Sequence, residues 1–196
     1  MGSGIKIAMR DLEIRGAGNV LGAEQHGHME KIGYELYSKL LKEELSGKEE
    51  TVPDLDIRVS AYIPESYIES NTAKMETYKE IAEISSIQEE DELRASLIDL
   101  YGVIPQEVDN LINIAVVKLL STHLSAKEIL IDKSQVLIRF NHVNAFANQS
   151  LIKALDTFRD DIVLRMNVYP EIEFLRTDET SAFMLEKVKR FLAETL

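Results

Sequence analysis

Residues 105–140 read PQEVDNLINIAVVKLLSTHLSAKEILIDKSQVLIRF, and the apolar period changes within them. Pro105 can open a helix, because a first-turn residue has no N–H bond to lose. Val108, Leu111, Ile112, Ala115, Leu119 and Leu120 then recur at helical spacing. After residue 127 the pattern shortens. Glu128–Ile131 and Gln135–Phe140 are β-prone runs on either side of Asp132-Lys133-Ser134, which predicts a hairpin. A long amphipathic helix feeding a hairpin predicts an α+β fold.

The flanks agree. Upstream, a helix from about Glu89 carries Leu93, Leu97 and Leu100 and stops at Gly102. Before it, Asn71 or Thr72 caps a helix with Met75, Tyr78, Ile81 and Ala82. Residues 55–63 alternate apolar and polar and end at Pro64, as a half-buried strand does. Downstream, residues 145–158 form a helix with Phe146, Leu151, Leu155 and Phe158. Ile162–Val168 and Glu171–Leu175 flank Tyr169-Pro170 as a second strand pair. Residues 180–195 form a last helix with Phe183, Val188, Phe191 and Leu192. Residues 54–196 are thus expected to be one compact domain of helices on a small, mostly antiparallel sheet.

The first quarter is different. Residues 1–4 read as a cloning remnant. Five of the nine glycines fall between positions 16 and 33, where glycine packs nothing and costs backbone entropy. Something outside this segment is expected to use that loop. Ile32–Leu45 returns to helical spacing, with Leu36, Leu40, Leu41 and Leu45. Residues 5–46 therefore form a separate segment, expected to be a helical hairpin, and 47–53 a linker ending at Pro53.

The chain has 196 residues, is 45% hydrophobic and has no cysteine. That is enough apolar residue for one core, and it excludes thiol catalysis and disulfide scaffolds. No apolar run approaches the roughly 20 residues that span a bilayer, and the chain shows no secretory signal. A cytoplasmic location and no membrane partner are the expectations. Net charge is −12, which disfavours a polyanion over the whole surface. The excess is local: residues 51–110 hold 14 acids against 4 bases, while residues 111–196 hold 11 of each. Such a band either keeps a helix face solvated or meets a basic protein surface.

Independent chemistry is missing. No phosphate-cradling G-x-x-x-x-G-K-[ST] loop occurs. Gly16-Ala17-Gly18 lacks the third glycine of a dinucleotide fingerprint. His26 and His28 are too few ligands for a closed metal site. The carboxylates of Asp160-Asp161 and Glu89-Glu90-Asp91-Glu92 read as solvated charge rather than an acid–base pair. No catalytic residue and no cofactor are expected in this chain.

One stretch is specific. Ile7–His28 contains Asp11-Leu12-Glu13-Ile14-Arg15-Gly16-Ala17-Gly18-Asn19, then Leu21-Gly22 and Gln25-His26-Gly27. It resembles the translocation motif shared by RecG and the bacterial transcription-repair coupling factors. RecG-type chains have little sequence after that motif, whereas about 150 residues follow here. Those residues resemble the C-terminal domain of the coupling factors at Tyr62-Ile63-Pro64-Glu65-Ser66-Tyr67-Ile68, at Tyr78-Lys79-Glu80-Ile81-Ala82 and at Leu93–Pro105. The likeness is strongest up to about residue 105.

The resemblance implies a parent that is an ATP-driven double-stranded DNA translocase of helicase superfamily 2. Such a parent displaces stalled RNA polymerase and recruits UvrA in nucleotide-excision repair, and its ATP and magnesium belong to motor lobes outside this chain. The resemblance places Arg15, Gly16, Gly18, Gly22, Gln25 and Gly27 in the element that couples those lobes to movement on DNA. It makes the C-terminal domain a non-catalytic clamp on the parent's N-terminal UvrB-like module, masking the UvrA-binding surface. The acidic band then suggests Asp91, Glu92 and Asp99 as contact residues. Family members often carry an acid three residues before the position of Asp99, where this chain has Ser96. Two other readings make different demands. Another superfamily 2 helicase would want a basic face over 54–196. A small enzyme built on His26 and His28 would want a third ligand.

Overall fold

A computed structural model describes residues 53–176 and 179–196. Strand β1 is Asp54–Ile57, followed by helices α1 (Asn71–Ala82), α2 (Ile87–Tyr101) and α3 (Gln106–His123). Strands β2 (Ala126–Ile131) and β3 (Val136–Phe140) come next, then a 3-10 turn at Val143–Ala147 and helix α4 (Gln149–Thr157). Strands β4 (Ile162–Arg165) and β5 (Glu171–Phe174) and helix α5 (Ser181–Ala193) follow. The sheet order is β1-β2-β3-β5-β4. β1 runs parallel to β2, and the other three pairings are antiparallel. This is the expected α+β class. The segment 5–46, its helical hairpin and its motif residues Arg15, Gly16, Gly18, Gly22, Gln25 and Gly27 lie outside the described residues.

Strand alternation gives the sheet two unlike faces. Leu55, Ile129, Ile138, Ile172 and Leu164 stand opposite one another in one row across all five strands. The helices cover this face from β2 to β5, and Leu164 at the β4 edge stays 43% exposed. Phe191 of α5 meets Phe174 and Phe158 edge-on at 5.3 and 5.5 Å, and Phe146 meets Phe140 at 5.2 Å. Helix α3 is central, with Val108, Leu111, Ile112, Val116, Val117 and Leu120 all buried. The other face carries a charged row, Asp54, Glu128, Arg139, Glu171 and Arg165. Arg139 there joins Glu171 (Nε to Oε1, 2.7 Å) and Glu128.

Several expectations need correction. Helix α1 is capped by Ser70, whose hydroxyl accepts from the Ala73 N–H (3.3 Å), and not by Asn71 or Thr72. The alternation at 55–63 is right about burial, since Ala61 and Ile63 are buried, but the ladder ends at Ile57. The Arg58 N–H still donates to the Ile131 carbonyl (2.7 Å), and beyond it Asn110 Nδ2 donates to the Ser60 carbonyl (2.8 Å) and the Ile63 N–H to Tyr78 Oη (2.9 Å). The expected helix over 145–158 divides at Asn148, whose side chain accepts from the N–H groups of Ser150 and Leu151 and starts α4 there. The second strand pair is shorter than expected, because β4 stops at Arg165. Leu100 and Phe183 are exposed, at 66% and 50%, rather than in the core. In α2 the buried row passes through Leu97 and leaves Leu100 one position off the inward face.

The β2–β3 turn is held by one carboxylate. Asp132 Oδ1 accepts from Ser134 N–H (2.6 Å), Ser134 Oγ (2.7 Å) and Gln135 N–H (2.9 Å). These bonds favour the ionised form and lower its pKa to about 2. The native state therefore binds this proton less readily than the unfolded chain. The stability it contributes is present above pH 3.8 and is lost as pH falls toward about 2. Thermal unfolding of the chain and of Asp132→Asn, followed from about pH 5 down to about pH 2, should show the gap between them closing over that window.

Candidate functional site

Helix α2 presents the acidic band. Ser86 caps it by accepting from the Glu89 N–H (3.2 Å). The Glu89 carboxylate reaches back to the Ser85 N–H (2.8 Å) and Oγ, and those bonds lower its pKa. This pair of caps starts the helix before Glu89, where sequence pattern alone had placed the start. At the other end Gly102 has φ +83° and ψ −151°, and its N–H donates to the Ile98 carbonyl (2.9 Å). That backbone region is essentially reserved for glycine. Gly102→Ala should cost about 1–3 kcal/mol, read by urea denaturation, although open space surrounds the position.

The inward side of α2 holds a charge network. Glu90, only 3% exposed, accepts from Arg94 Nε (2.8 Å) and from Lys189 Nζ of α5. Arg94 continues to Asp109 Oδ1 (2.5 Å) and Asn113 Oδ1 (2.9 Å) of α3. Asn113 Nδ2 closes the ring on Asp109 Oδ2 (2.9 Å), and its Oδ1 also takes Lys189 (3.1 Å). Burial pulls the Arg94 pKa down, but the bonds to Glu90 and Asp109 outweigh it and hold Arg94 above its ordinary value. Two cations and two anions thus tie three helices. Glu90 was expected to be solvated with its neighbours; it is not, and its Arg94 partner four residues on was the available sign.

The outward side is what remains. Asp91, Glu92 and Asp99 are all exposed, and their spacing of seven and eight residues puts them on one stripe. Gln88 Nε2 donates to Glu92 Oε1 (2.8 Å). Asp91 and Asp99 have no ion-pair partner among the described residues. The structure therefore brings the three proposed contact acids together, and adds apolar neighbours that composition did not reveal. Ile98, Leu100 and Val103 are exposed at 54%, 66% and 90%, and Tyr101 stacks at a tilt on Tyr67, 5.6 Å away. Ile98 and Leu100, two positions apart on the helix, lie on opposite flanks of the acid stripe. Acids bordered by exposed apolar side chains can dock a surface that carries both basic and apolar groups. Among the described residues no group of three or more His, Asp or Glu side chains could hold a metal, and no helix is long and apolar enough to cross a membrane.

The geometry can be set beside known proteins. Residues 57–151 match the TRCF domain family. The transcription-repair-coupling factor of Bacillus subtilis (strain 168) is 41% identical over 143 residues, which is 69% of this chain and 12% of that protein. The identity, its extent and the family match together decide the matter. The chain belongs to the transcription-repair coupling factor family. The namesake from Staphylococcus epidermidis (strain RP62A) is 39% identical over the same shares. A crystal structure of the C-terminal domain of a transcription-repair coupling factor superposes with a TM-score of 0.66. At 24% identity, over 76% of this chain and 95% of that one, it shows a shared fold. The chain spans about one-eighth of the length of the curated coupling factors it matches, and corresponds to their C-terminal region.

Proposed function

We propose that this chain is the regulatory C-terminal region of an ATP-driven double-stranded DNA translocase that displaces stalled RNA polymerase and recruits UvrA. The observation that carries the reading is the α2 face: three exposed acids in one stripe, two without an ion-pair partner among the described residues, bordered on either side by the exposed Ile98 and Leu100. The face docks on the UvrB-like N-terminal module of the parent and masks its UvrA-binding surface. Exposed ion pairs are individually weak, so such an interface holds within one chain and still releases. The segment 5–46, through Arg15 and Gln25, couples the motor lobes to DNA. The lobes supply the ATP and magnesium chemistry, and this chain is not itself an enzyme.

The test is calorimetric titration of this chain against the separately purified N-terminal module at low and high salt. Binding that weakens with salt is expected, and Asp99→Lys should weaken it by about 5–10-fold, the effect of turning one attraction into a repulsion. Binding that ignores both salt and Asp99→Lys would remove α2 from the interface.

A further inference from the structure

The two edges of the sheet are built differently. β1 follows Pro53 and carries Asp54 and Asp56, with Arg58 just beyond, which are features that discourage strand pairing. β4 reads Ile162-Val163-Leu164-Arg165, and the chain runs on through Met166 and Val168. Val163, Leu164, Met166 and Val168 are exposed at 38%, 43%, 59% and 90%. The charged row on the open face is paired within itself at Glu128, Arg139 and Glu171, whereas the β4 edge has no strand beside it among the described residues.

The hydrogen-bond phase of this edge can be read directly. The Leu175 N–H donates to the Asp161 carbonyl (2.7 Å). With the β4–β5 register, this makes Val163/Glu173 and Arg165/Glu171 the pairs that exchange bonds with β5. The N–H and C=O groups of Ile162 and Leu164 therefore point off the sheet.

We propose that β4 pairs with β4 of a second copy, antiparallel, about a two-fold axis at Val163. In that register Ile162 opposes the partner's Leu164, and Leu164 opposes the partner's Ile162. The outward groups of both residues then meet in about four hydrogen bonds. Val163 meets its own copy on the axis, and Leu164 is covered. Arg165 stands opposite the partner's Asp161, twice by symmetry. Both side chains are about half exposed, and each is already oriented by a neighbour, Glu173 for Arg165 and Lys187 for Asp161. The neighbouring registers lack this match. An axis at Ile162 sets Arg165 against the partner's Arg159, and an axis at Leu164 sets it against the partner's Val163. The self-complementary charge pattern is what names a second copy of this chain as the occupant. A four-residue edge buries little area, so the pairing is reversible and concentration-dependent.

The absence of cysteine makes a clean test possible. Val163→Cys places the sole thiol on the axis, at a non-hydrogen-bonded pair whose Cα separation of about 4.5 Å suits a disulfide. Mild oxidation should give a covalent dimer from Val163→Cys at least about 10-fold faster than from Asp54→Cys on the opposite edge. Sedimentation equilibrium of the unmodified chain should show mass rising above 22.2 kDa with concentration. Leu164→Lys, at an exposed position, should keep its circular dichroism and stay at monomer mass. Equal crosslinking of the two cysteine variants overturns the proposal. So does a chain that stays monomeric to about 1 mM, or one in which Leu164→Lys still associates.

Discussion

Replacing Glu90 with alanine is expected to cost about 3–5 kcal/mol of folding stability, because it leaves Arg94 and Lys189 facing each other across a buried space. Asp109 can compensate only Arg94, to which it is already bonded. The measurement is urea denaturation, with Glu90→Ala showing a lower midpoint and an unchanged slope. A companion double variant, Glu90→Leu with Lys189→Met, should recover most of the loss, since a well-packed apolar pair of similar volume replaces a buried ion pair at little cost. A loss under about 1 kcal/mol for Glu90→Ala would mean that the carboxylate is solvated after all.

Phe191→Ala should be comparably damaging, at about 3–5 kcal/mol. Phe191 is fully buried and touches Phe158 and Phe174 edge-on, so its removal opens a cavity between α5 and the sheet and breaks two ring contacts. Calorimetric unfolding would report it as a fall in Tm of about 10 °C in a chain of this size. Phe183→Ala, eight residues earlier on the same helix but half exposed, should change Tm by little. The pair separates loss of packing from loss of an aromatic residue.

That contrast also marks what the sequence could and could not tell. Periodicity located the five helices and four antiparallel strands of the described residues, because their buried faces are regular. It could not separate Phe183 from Phe191, since both lie within an apolar arc and only packing decides which points inward. It extended β1 through Ile63 because alternation reports burial, whereas a ladder needs a neighbouring strand, and past Arg58 the partners are Asn110 and Tyr78. The acidic band was plain from composition. Its division into a buried Glu90 and an exposed Asp91, Glu92 and Asp99 needed the position of α5, which supplies Lys189 from 99 residues further along the chain. The exposure of Leu100 was hidden for the opposite reason: an apolar residue near a helix end reads as core until nothing is found to cover it.

The parallel pairing of β1 with β2 has a consequence for the order in which the chain assembles. Asp54 stands opposite Glu128, with three helices lying between them in sequence. The β2–β3 hairpin closes over a few residues, and α3 packs next to it, so both can form early from nearby partners. β1 has no local partner and must wait until those helices have compacted before its four residues find the β2 edge. It is thus expected to be the last strand to join, and it is held on one side only. During synthesis it leaves the ribosome well before the strand it needs, and its charges and preceding proline keep it from pairing elsewhere in the interval.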